Sequence, residues 1–470
     1  MDLRPGSHIH MIGICGTAMA SLAGLLKDRG FRVTGSDSNS YPPMSTQLEN
    51  LKIPILTPYK KENLNPRPDF VIVGNVISAN NEEAQELQKL GLPFTSLPKA
   101  MGEFIIENRN CVCISGTHGK TTTTSLMSWV LDQAGLKPGF MIGGIPKNFA
   151  QSFRNPEGNY FVIEGDEYDT AYFDKVPKFI HYKPKHVILT SIEFDHADIY
   201  KDLNAVKAAF SRLIRIIPRE GHLVCWGEDS NIKDLLEQSN TKNVFTYGFK
   251  NSHFIIEKLN NPGAAIETHF QIKKGTEVLG PFVTTMSGDY NLLNAASVII
   301  LCYLLKVDIE SVKKSMQSFE GVKRRQEILG EPGGVLVIED FAHHPTAVRE
   351  TLKGIAKQYQ GRKIFAVFEP RSATSRRKIF QKDYAEAFQS AQEILLAKAF
   401  DQTKIDEEDR FSTEELVNDL KKKNKSAACF DNADQIVTNL KSRAKSGDLI
   451  LIMSNGGFDG IYQKIIKSFS

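Results

Sequence analysis

A short glycine turn carries the strongest chemical signal in the chain. It reads Gly-Thr-His-Gly-Lys-Thr-Thr at residues 116–122 and follows an apolar segment at residues 111–114. Glycines expose successive backbone N–H groups, and a helix that begins near Thr121 adds the positive end of its dipole. A polyphosphate can therefore be held mainly by the main chain. Lys120 would reach the terminal phosphates, and the Thr121 hydroxyl a bound Mg²⁺.

The loop is shorter than the standard phosphate-binding loop. The usual spacing, G-x-x-x-x-G-K-[ST], places a glycine at position 114, where this chain has Ile114. An ordinary polar turn between a strand and a helix is the alternative. The segment after the loop favours phosphate binding, because Leu126, Trp129 and Val130 recur on one helical face. Gly135 then supplies the end of that helix.

Carboxylates and a histidine follow two further apolar segments. Residues 161–163 lead into Glu-Gly-Asp-Glu-Tyr-Asp, which begins at Glu164, and residues 187–189 precede Glu-Phe-Asp-His, which ends at His196. Parallel strands bind ligands at their carboxyl ends, and oxygen ligands suit Mg²⁺. Acidic helix caps and a surface or core histidine are the alternatives. Because three strand ends converge on one edge of a sheet, we expect a magnesium site there.

A second glycine turn lies near the start of the chain. An apolar strand ends at Gly13 and Gly16, a helix and a second strand follow, and Asp37 comes 24 positions after Gly13. This spacing is typical of a dinucleotide-type fold, in which a carboxylate accepts a hydrogen bond from a ribose hydroxyl. The glycine fingerprint is incomplete, because Cys15 and Ala18 stand where its other glycines would be.

The order of predicted elements indicates an α/β protein of three domains, each built on a mainly parallel sheet. We predict a Rossmann-like domain at residues 1–108, a central domain on the phosphate loop at 109–320, and a second Rossmann-like domain at 321–470. In the central domain, alternation with turn signals at residues 244–285 predicts a small antiparallel excursion. In the last domain, apolar strands are predicted at residues 335–338, 363–368, 393–397, 427–430 and 449–453.

Composition narrows the class of protein. The net charge is only +3 over 470 residues, which gives no reason to expect nucleic acid or an anionic membrane as partner. The six cysteines are scattered, which suits reduced core residues of a cytoplasmic protein. No secretory signal is evident, and the longest apolar run, at residues 298–305, is too short to span a bilayer. No obligate protein partner is indicated.

Taken together, these residues resemble the muramyl ligase superfamily, the ATP-dependent amide-forming enzymes of peptidoglycan synthesis, along the whole chain. The short loop at residues 116–122 is similar to that family's own variant of the phosphate loop. Further runs resemble the murein peptide ligases, the recycling branch of the superfamily. These runs lie at residues 41–45, 164–169, 193–198, 341–345, 368–372 and 453–458.

The resemblance implies roles for individual residues. Magnesium would be organised by Thr121, Glu164 and His196, and the catalytic residues would be Lys120, Glu164 and His196. The first domain would bind the uridine diphosphate sugar, and the third domain would add two histidines on closing. The implied ATP-binding residues are Gly116, Thr117, His118, Gly119, Lys120, Thr121, Thr122, Asn291, Asn294, Arg324, Arg325 and Asp340. The implied substrate-binding residues are Gly13, Gly16, Asp37, His343, His344 and Arg371.

Two positions depart from the family pattern. The family's usual histidine before the first adenine-side asparagine is Tyr290 here. Several relatives carry a carbamylated lysine about fifteen residues beyond the metal histidine, where this chain has Phe210 and Ser211. We therefore expect no carbamate.

Arg371 is the residue on which substrate choice would depend. It lies at a predicted strand end of the third domain, and its planar guanidinium suits bidentate recognition of a peptide carboxylate. A structural ion pair with Glu369 or Asp340 is the alternative.

The implied activity is ATP-dependent joining of UDP-N-acetylmuramate to the tripeptide L-alanyl-γ-D-glutamyl-meso-diaminopimelate, with Mg²⁺, through an acyl phosphate. Two rival hypotheses remain at this point. The first is a ligase that adds L-alanine to the same sugar nucleotide in de novo peptidoglycan synthesis. The second is a nucleotide switch without ligase activity, although a motor has no need of a domain that binds a second nucleotide.

Overall fold

The structure is a computed structural model that describes residues 3–40, 44–260 and 267–470. Residues 41–43 of the run at 41–45, and most of the turn predicted at residues 260–263, lie outside the described residues. The described chain forms three α/β units around three main sheets, as the sequence predicted. No helix in the described ranges is both long enough and apolar enough to cross a membrane.

The first unit contains a five-stranded sheet with the order β3-β2-β1-β4-β5, in which every pairing is parallel. The strand β1 is buried along its whole length, including the two histidines of its sequence His-Ile-His-Met-Ile. The elements are β1 His8–Ile12, α1 Thr17–Asp28, β2 Arg32–Ser36, α2 Met44–Asn50, β3 Ile55–Leu56, β4 Phe70–Val73, α3 Glu82–Lys89, β5 Phe94–Ser96 and α4 Leu97–Ala100.

The second unit contains a ten-stranded sheet with the order β17-β16-β15-β14-β13-β12-β6-β9-β7-β8. The chain enters the sheet at its centre, so β6 is flanked by β9 and β12. The elements are β6 Asn110–Ser115, α5 Lys120–Gln133, β7 Gly139–Met141, β8 Phe153–Arg154, β9 Tyr160–Gly165, β10 Asp169–Ala171, β11 Asp174–Pro177, α6 Phe179–Tyr182, β12 His186–Leu189, α7 Leu203–Ile216, β13 His222–Trp226, α8 Ser230–Lys233, β14 Val244–Gly248, β15 Phe254–Lys258, β16 Thr268–Lys274, β17 Glu277–Thr284, α9 Asp289–Leu304 and α10 Ile309–Ser318.

The third unit contains a six-stranded sheet with the order β18-β19-β23-β20-β21-β22. Only β18, at the edge, pairs antiparallel within it. The elements are β18 Glu327–Gly330, β19 Leu336–Asp340, α11 Pro345–Gln358, β20 Ile364–Phe368, α12 Gln381–Ala387, β21 Glu393–Ala397, α13 Thr413–Lys422, β22 Ser426–Phe430, α14 Ala433–Arg443, β23 Leu449–Met453 and α15 Ile461–Phe469.

The structure differs from the expected antiparallel excursion at residues 244–285. The first strand of that region, β14, pairs parallel with β13 and with β15. Within this region β16 pairs antiparallel with β15 on one side and with β17 on the other, and these strands extend the edge of the large sheet rather than forming a separate one. Alternation of apolar residues indicates that one face of a strand is buried, but it does not give the direction of the neighbouring strand.

The first and second units meet at a close contact between a helix and an aromatic ring. Gly24 lies in the middle of α1, and a Cβ atom added there would stand 2.1 Å from Cζ of Phe153 in β8. Beside this contact, Arg29 Nε donates to Asn155 Oδ1 at 2.9 Å, and Asn155 Nδ2 donates to the carbonyl of Leu25 at 2.9 Å. Glycine is therefore required at position 24 so that the ring can reach the helix backbone.

We predict that Gly24→Ala lowers the free energy of unfolding by about 1–3 kcal/mol, because the new methyl group overfills a packed contact. Chemical denaturation followed by circular dichroism measures this change. Gly457→Ala is the matched control, because Gly457 has a helical φ of −79° and, beyond its chain neighbours, no atom lies within 4 Å of the position that its new methyl group would take. Equal stability of the Gly24→Ala variant and the wild type would contradict the described contact.

Candidate active site between the second and third domains

A cleft of about 810 Å³ lies where the second and third domains face each other. Its walls combine the glycine loop after β6, the loops after β9 and β12, the start of α9 and the start of α11. Of the residues predicted to have a role, those that line the cleft are Thr117, His118, Gly119, Lys120, Thr121, Thr122, His196, Asn291, Asn294, Arg325, Asp340 and His343.

The glycine loop has the conformation that its sequence requires. Gly116 and Gly119 have φ values of +127° and +81°, which disfavour any residue with a Cβ atom. Space gives a second reason, because a Cβ atom on Gly116 would stand 2.3 Å from Thr190 Oγ1. One on Gly119 would stand 2.6 Å from Asn294 Oδ1. The loop ends in α5, a helix of 14 residues that begins at Lys120, so its N-terminus points into the cleft.

Lys120 is held inside this loop by its own backbone and by carboxylates. Its ammonium group donates to the carbonyl of Gly116 at 2.7 Å and to Glu167 Oε2 at 3.3 Å, and Asp166 Oδ1 is 3.9 Å away. Burial opposes the charged form, but Glu167 and Asp166 outweigh it and raise the pKa of Lys120 above the ordinary lysine value. The side chain is therefore a fixed cation at the loop.

Glu164 closes the opposite side of the loop. Its Oε2 accepts a hydrogen bond from Thr121 Oγ1 at 3.0 Å, and its Oε1 accepts one from the N–H of Gly143 at 2.6 Å. Burial, together with the nearby Asp166 carboxylate, raises the pKa of Glu164. A buried carboxylate with a raised pKa gains stability from a cation, so Thr121 and Glu164 suit a divalent metal.

His196 is paired with Glu167 rather than with Glu164. Its Nε2 lies 3.6 Å from Glu167 Oε1, and its ring stands 4.9 Å from the ring of Tyr168. Among the described side chains, no hydrogen bond or ion pair joins His196 to Glu164. The predicted metal ligands therefore make two separate contacts, Thr121 with Glu164 and His196 with Glu167. Glu167 is a fourth candidate ligand, and it was not singled out from the sequence.

Lys178 is a second buried cation at this site, and no sequence pattern indicated it. Its Nζ donates to Asp166 Oδ2 at 2.9 Å and to the Tyr168 hydroxyl at 3.0 Å. Burial disfavours the carboxylate form of Asp166, but Lys178 and then Lys120 outweigh that cost and lower the pKa of Asp166 to about 2. Asp166 therefore remains ionised and bridges the two lysines. Lys178 follows the β10–β11 hairpin, which brings it back to the loop after β9.

The chemistry of these donors fits a nucleotide with Mg²⁺. The loop offers backbone N–H groups and one cation for phosphate, while Thr121, Glu164 and Glu167 offer oxygen ligands. The positions of Phe210 and Ser211 carry no ligand to this site. The Phe210 ring is buried and stacks on Phe179 at 6.4 Å, and Ser211 Oγ donates to Gln238 Oε1 at 2.5 Å.

The third domain reaches the cleft through several side chains. Arg325 places a guanidinium N–H 3.5 Å from Thr121 Oγ1 and stacks over the Phe341 ring at 4.6 Å. Asp340 is buried and accepts hydrogen bonds from the N–H groups of Gln326 at 2.9 Å and Ala342 at 2.8 Å. Burial raises the pKa of Asp340.

Both histidines of the third domain lie close to this junction. The ring of His343 donates from Nδ1 to the carbonyl of Phe341 at 3.0 Å. The ring of His344 donates from Nε2 to the carbonyl of Phe194 in the second domain at 3.2 Å. The structure therefore brings His344 against the second domain, although His344 does not itself line the cleft.

Two predicted arginines point elsewhere. Arg324 donates to Glu339, to the carbonyls of Ser454 and Gly456, and to the Tyr462 hydroxyl, so its guanidinium is bound within the third domain. We correct its expected position, because these acceptors draw it away from the cleft.

Arg371 pairs with Glu369 at 3.2 Å, and its guanidinium lies 3.8 Å from the Phe400 ring. The ion pair with Glu369 is the structural alternative that the sequence left open, and it is present. Arg371 does not line the cleft.

The two asparagines that were predicted to lie on the adenine side of ATP are in the first turns of α9. Asn291 Nδ2 donates to the carbonyl of Ser287 at 2.8 Å, and Asn294 Nδ2 donates to Asn291 Oδ1 at 3.4 Å. Both side chains are buried, and Asn294 packs against Gly119 of the loop. Tyr290 accepts a hydrogen bond from Gln326 Nε2 at 2.8 Å, so the departure from the family pattern forms a contact to the segment that leads into the third domain.

The first-domain residues form a separate cluster away from this cleft. Gly13 has φ +85°, and Gly16 is the N-cap residue of α1. Asp37 Oδ2 accepts a hydrogen bond from the N–H of Cys15 at 2.9 Å, and Asp37 Oδ1 lies 3.3 Å from the Tyr59 hydroxyl. The carboxylate therefore fixes the glycine turn, and its predicted hydrogen bond to a ribose stays a prediction.

Comparisons with known proteins agree along the chain. Three family models match: "Mur ligase family, catalytic domain" at residues 8–109, "Mur ligase middle domain" at 114–302, and "Mur ligase, glutamate ligase domain" at 324–456. The chain is 38% identical over 461 residues to the UDP-N-acetylmuramate--L-alanyl-gamma-D-glutamyl-meso-2,6-diaminoheptandioate ligase of Haemophilus influenzae, covering 98% of each chain. It is 33% identical to the UDP-N-acetylmuramate--L-alanine ligase of Clostridium tetani, covering 95% of each. The crystal structure of a murein peptide ligase from Psychrobacter arcticus is 34% identical, with a TM-score of 0.73 and 99% of each chain covered.

The contacts of Glu164 with Thr121 and of Glu167 with His196 give a prediction about magnesium. Glu164→Gln and Glu167→Gln should each raise the Mg²⁺ concentration needed for nucleotide binding, because each removes a charge next to the loop, and His196→Ala should do the same more weakly. Calorimetric titration of ATP at several Mg²⁺ concentrations measures this. Glu157→Gln is the control, because that carboxylate is exposed and pairs only with Lys137. Wild-type Mg²⁺ dependence in Glu167→Gln would exclude Glu167 from the metal site.

Proposed function

The chain belongs to the Mur ligase family, and on that premise we propose that it joins UDP-N-acetylmuramate to the tripeptide L-alanyl-γ-D-glutamyl-meso-diaminopimelate in peptidoglycan recycling. The enzyme is an ATP-dependent ligase that forms a carbon–nitrogen bond. The observation that carries the proposal is the cleft itself, where Lys120 of the phosphate loop, the Asp166 carboxylate and third-domain side chains such as Arg325 face one another.

The reaction needs activation of an acid. A carboxylate in water is ionised and has a poor leaving group, so an amine does not displace it at a useful rate. In the proposed sequence, the lactyl carboxylate of the sugar attacks the γ-phosphorus of ATP, and ADP leaves. The amino group of the peptide's L-alanine then attacks the acyl carbon, phosphate leaves, and the nitrogen loses a proton.

The residues of this chain have distinct tasks in that sequence. Lys120 stands at the loop as a fixed cation, so it stabilises the charge that develops on the transferred phosphoryl group. Bound Mg²⁺, held by Thr121, Glu164, Glu167 and His196, would supply further positive charge to the phosphates. Contacts such as Arg325 with Thr121 hold the third domain against the loop, which orients the reactants and keeps water from the activated acid.

Other residues are proposed to bind the parts of the two nucleotides that lie away from the phosphate loop. Gly13, Gly16 and Asp37 are proposed to bind the uridine diphosphate part of the sugar, and Asn291 with Asn294 the adenine side of ATP. His343, His344 and Asp340 are proposed to act from the third domain.

The choice of amine is supported by the pattern of relatives. The Haemophilus influenzae protein named for the tripeptide is 38% identical to this chain, whereas the Clostridium tetani protein named for L-alanine is 33% identical. Both proteins are named for UDP-N-acetylmuramate, so the sugar nucleotide is common to the two candidates. The L-alanine ligase remains the second candidate, and the ligase family leaves no support for a nucleotide switch.

Removal of the loop cation tests the proposed role of Lys120. Lys120→Met should reduce ligation at least ~10²-fold, the scale for loss of one preorganised electrostatic contributor. Binding of UDP-N-acetylmuramate should be unchanged, because its proposed site lies on the first domain. Phosphate release and calorimetric titration measure the two quantities. Lys175→Met is the matched control, because Lys175 is exposed on the neighbouring hairpin and pairs with Asp169. Turnover in Lys120→Met close to that of the wild type would contradict the assignment.

A panel of amines tests the substrate. The wild type should ligate L-alanyl-γ-D-glutamyl-meso-diaminopimelate far better than L-alanine, as measured by mass spectrometry of the product. Arg371→Ala should raise the KM for the tripeptide about tenfold, the scale of one charge-assisted hydrogen bond, and leave the KM for UDP-N-acetylmuramate unchanged. A preference for L-alanine would transfer the protein to the second candidate. An unchanged tripeptide KM in Arg371→Ala would remove Arg371 from the substrate site and leave it the ion pair with Glu369.

A further inference from the structure

A second group of metal-ligand side chains lies at the junction of the second and third domains. His118 comes from the phosphate loop, Glu193 from the loop after β12, and His344 from the residue before α11. Glu193 Oε2 is 3.4 Å from His118 Nε2 and 3.5 Å from His344 Nδ1, and the three ligand atoms lie within 4.8 Å of one another. A tetrahedral zinc ion with bonds near 2.0–2.1 Å requires neighbouring donors about 3.3–3.4 Å apart. Two of the three separations already have about this length.

The tautomer of His344 follows from its hydrogen bonds. Its Nε2 faces the carbonyl oxygen of Phe194 at 3.2 Å, and a carbonyl can only accept, so Nε2 carries the proton. Its Nδ1 faces the backbone N–H of Thr346 at 3.3 Å, and an N–H group can only donate, so Nδ1 is unprotonated. The lone pair of Nδ1 accepts this N–H over a long distance, and a carboxylate oxygen of Glu193 stands 3.5 Å from the same nitrogen. An ion bound at Nδ1 would take the place of the Thr346 N–H, so His344 can serve either as the cap of α11 or as a metal ligand.

The surroundings hold the three ligands in place. The Thr117 hydroxyl accepts from the N–H of Glu193 at 2.9 Å and lies 3.2 Å from the carbonyl of the same residue. The N–H of His118 donates to Ser191 Oγ at 3.2 Å. The His344 proton on Nε2 is fixed by a backbone carbonyl, which is the usual outer partner of a metal-binding histidine. The Phe380 ring packs against His344 at 4.7 Å and shields one side.

We propose that His118, Glu193 and His344 form a binding site for a divalent transition metal of the zinc class. Two imidazole nitrogens and one carboxylate select zinc-class ions over Mg²⁺, which prefers oxygen ligands. The site is distinct from the magnesium residues Thr121, Glu164, Glu167 and His196. His118 and Glu193 face the cleft, which leaves the remaining coordination position open towards it.

The proposed ion would join two domains. His118 and Glu193 belong to the second domain and His344 to the third, so an ion held by all three fastens the third domain to the phosphate loop. Zinc should therefore slow release of product and inhibit turnover, a consequence that rests on the proposed ligase function. Metal binding itself does not depend on that function, so the two can fail independently.

Direct metal binding tests the site in the full-length protein. Chelator-treated protein in excess Mg²⁺ is titrated with Co²⁺, whose visible absorption reports low-coordinate nitrogen and oxygen ligation, and Zn²⁺ is then added as a competitor. The wild type should bind one equivalent of Co²⁺ that Zn²⁺ displaces. His344→Ala and Glu193→Gln should each weaken binding about tenfold or more, because each removes a ligand. His118→Asn is a third variant, of similar size, should either of those fail to fold by circular dichroism.

Controls separate this site from its neighbours. Glu167→Gln and His196→Ala should leave Co²⁺ binding unchanged, because they alter only the magnesium residues. His269→Ala should also leave it unchanged, because His269 is on β16, next to the edge strand β17, and its imidazole lies beside Glu267. Loss of binding in His196→Ala with retention in His344→Ala would overturn the proposal, and so would a wild type that binds no Co²⁺ in excess Mg²⁺.

Discussion

A buried ammonium group requires negative partners, and this requirement determines the layout of the whole active region. Lys120 cannot leave water unless Glu167 and Asp166 approach it, because the desolvation cost of an isolated charge is many times larger than any single contact. Those carboxylates come from the loop after β9, which therefore must lie beside β6. Strand β9 pairs in parallel with β6 in a register that sets Glu164 beside Ile114, so the two loops leave the sheet together.

The need to pair each charge with an opposite one extends from Lys120 to its neighbours. Asp166 forms ion pairs with two lysines, Lys120 and Lys178. Lys178 is positioned by the β10–β11 hairpin that precedes it. Tyr168 links Lys178 to the ring of His196. Loop, hairpin and histidine are thus one electrostatic unit rather than separate binding features. A phosphate that enters meets a lysine whose orientation has already been fixed by carboxylates.

Much of this arrangement could be predicted from the sequence, and the features that could not are contacts between particular side chains. The five parallel strands of the third domain were predicted to within two residues at each end, because buried parallel strands are short apolar runs bounded by turns. The antiparallel edge strand β18 was not predicted. The loop with Lys120 and Thr121 was evident because glycines, a lysine and hydroxyl residues follow an apolar strand and precede a helical pattern. The pairing of His196 with Glu167 was not evident, because it depends on which of several neighbouring carboxylates turns inward. Contacts such as Thr374 Oγ1 with Asp195 Oδ1 at 2.6 Å join residues 179 positions apart, and no local pattern records them.

The two junctions between domains differ in their chemistry, and this difference divides the molecule mechanically. The junction between the first and second domains contains the Phe153 ring, which packs on the backbone of α1 at Gly24. Opening it would expose apolar surface, at a free-energy cost of about 25 cal/mol per Å². The junction with the third domain includes hydrogen bonds from Gln326 to Tyr290 and from Thr374 to Asp195, beside an aromatic contact between Phe194 and Phe380. Exchanging such a bond for one with water costs about 1 kcal/mol net for the neutral Gln326–Tyr290 pair and about 1.5–3 kcal/mol for the bond to the Asp195 carboxylate. Separating the first two domains would therefore expose apolar surface, whereas water can replace the hydrogen bonds that hold the third domain.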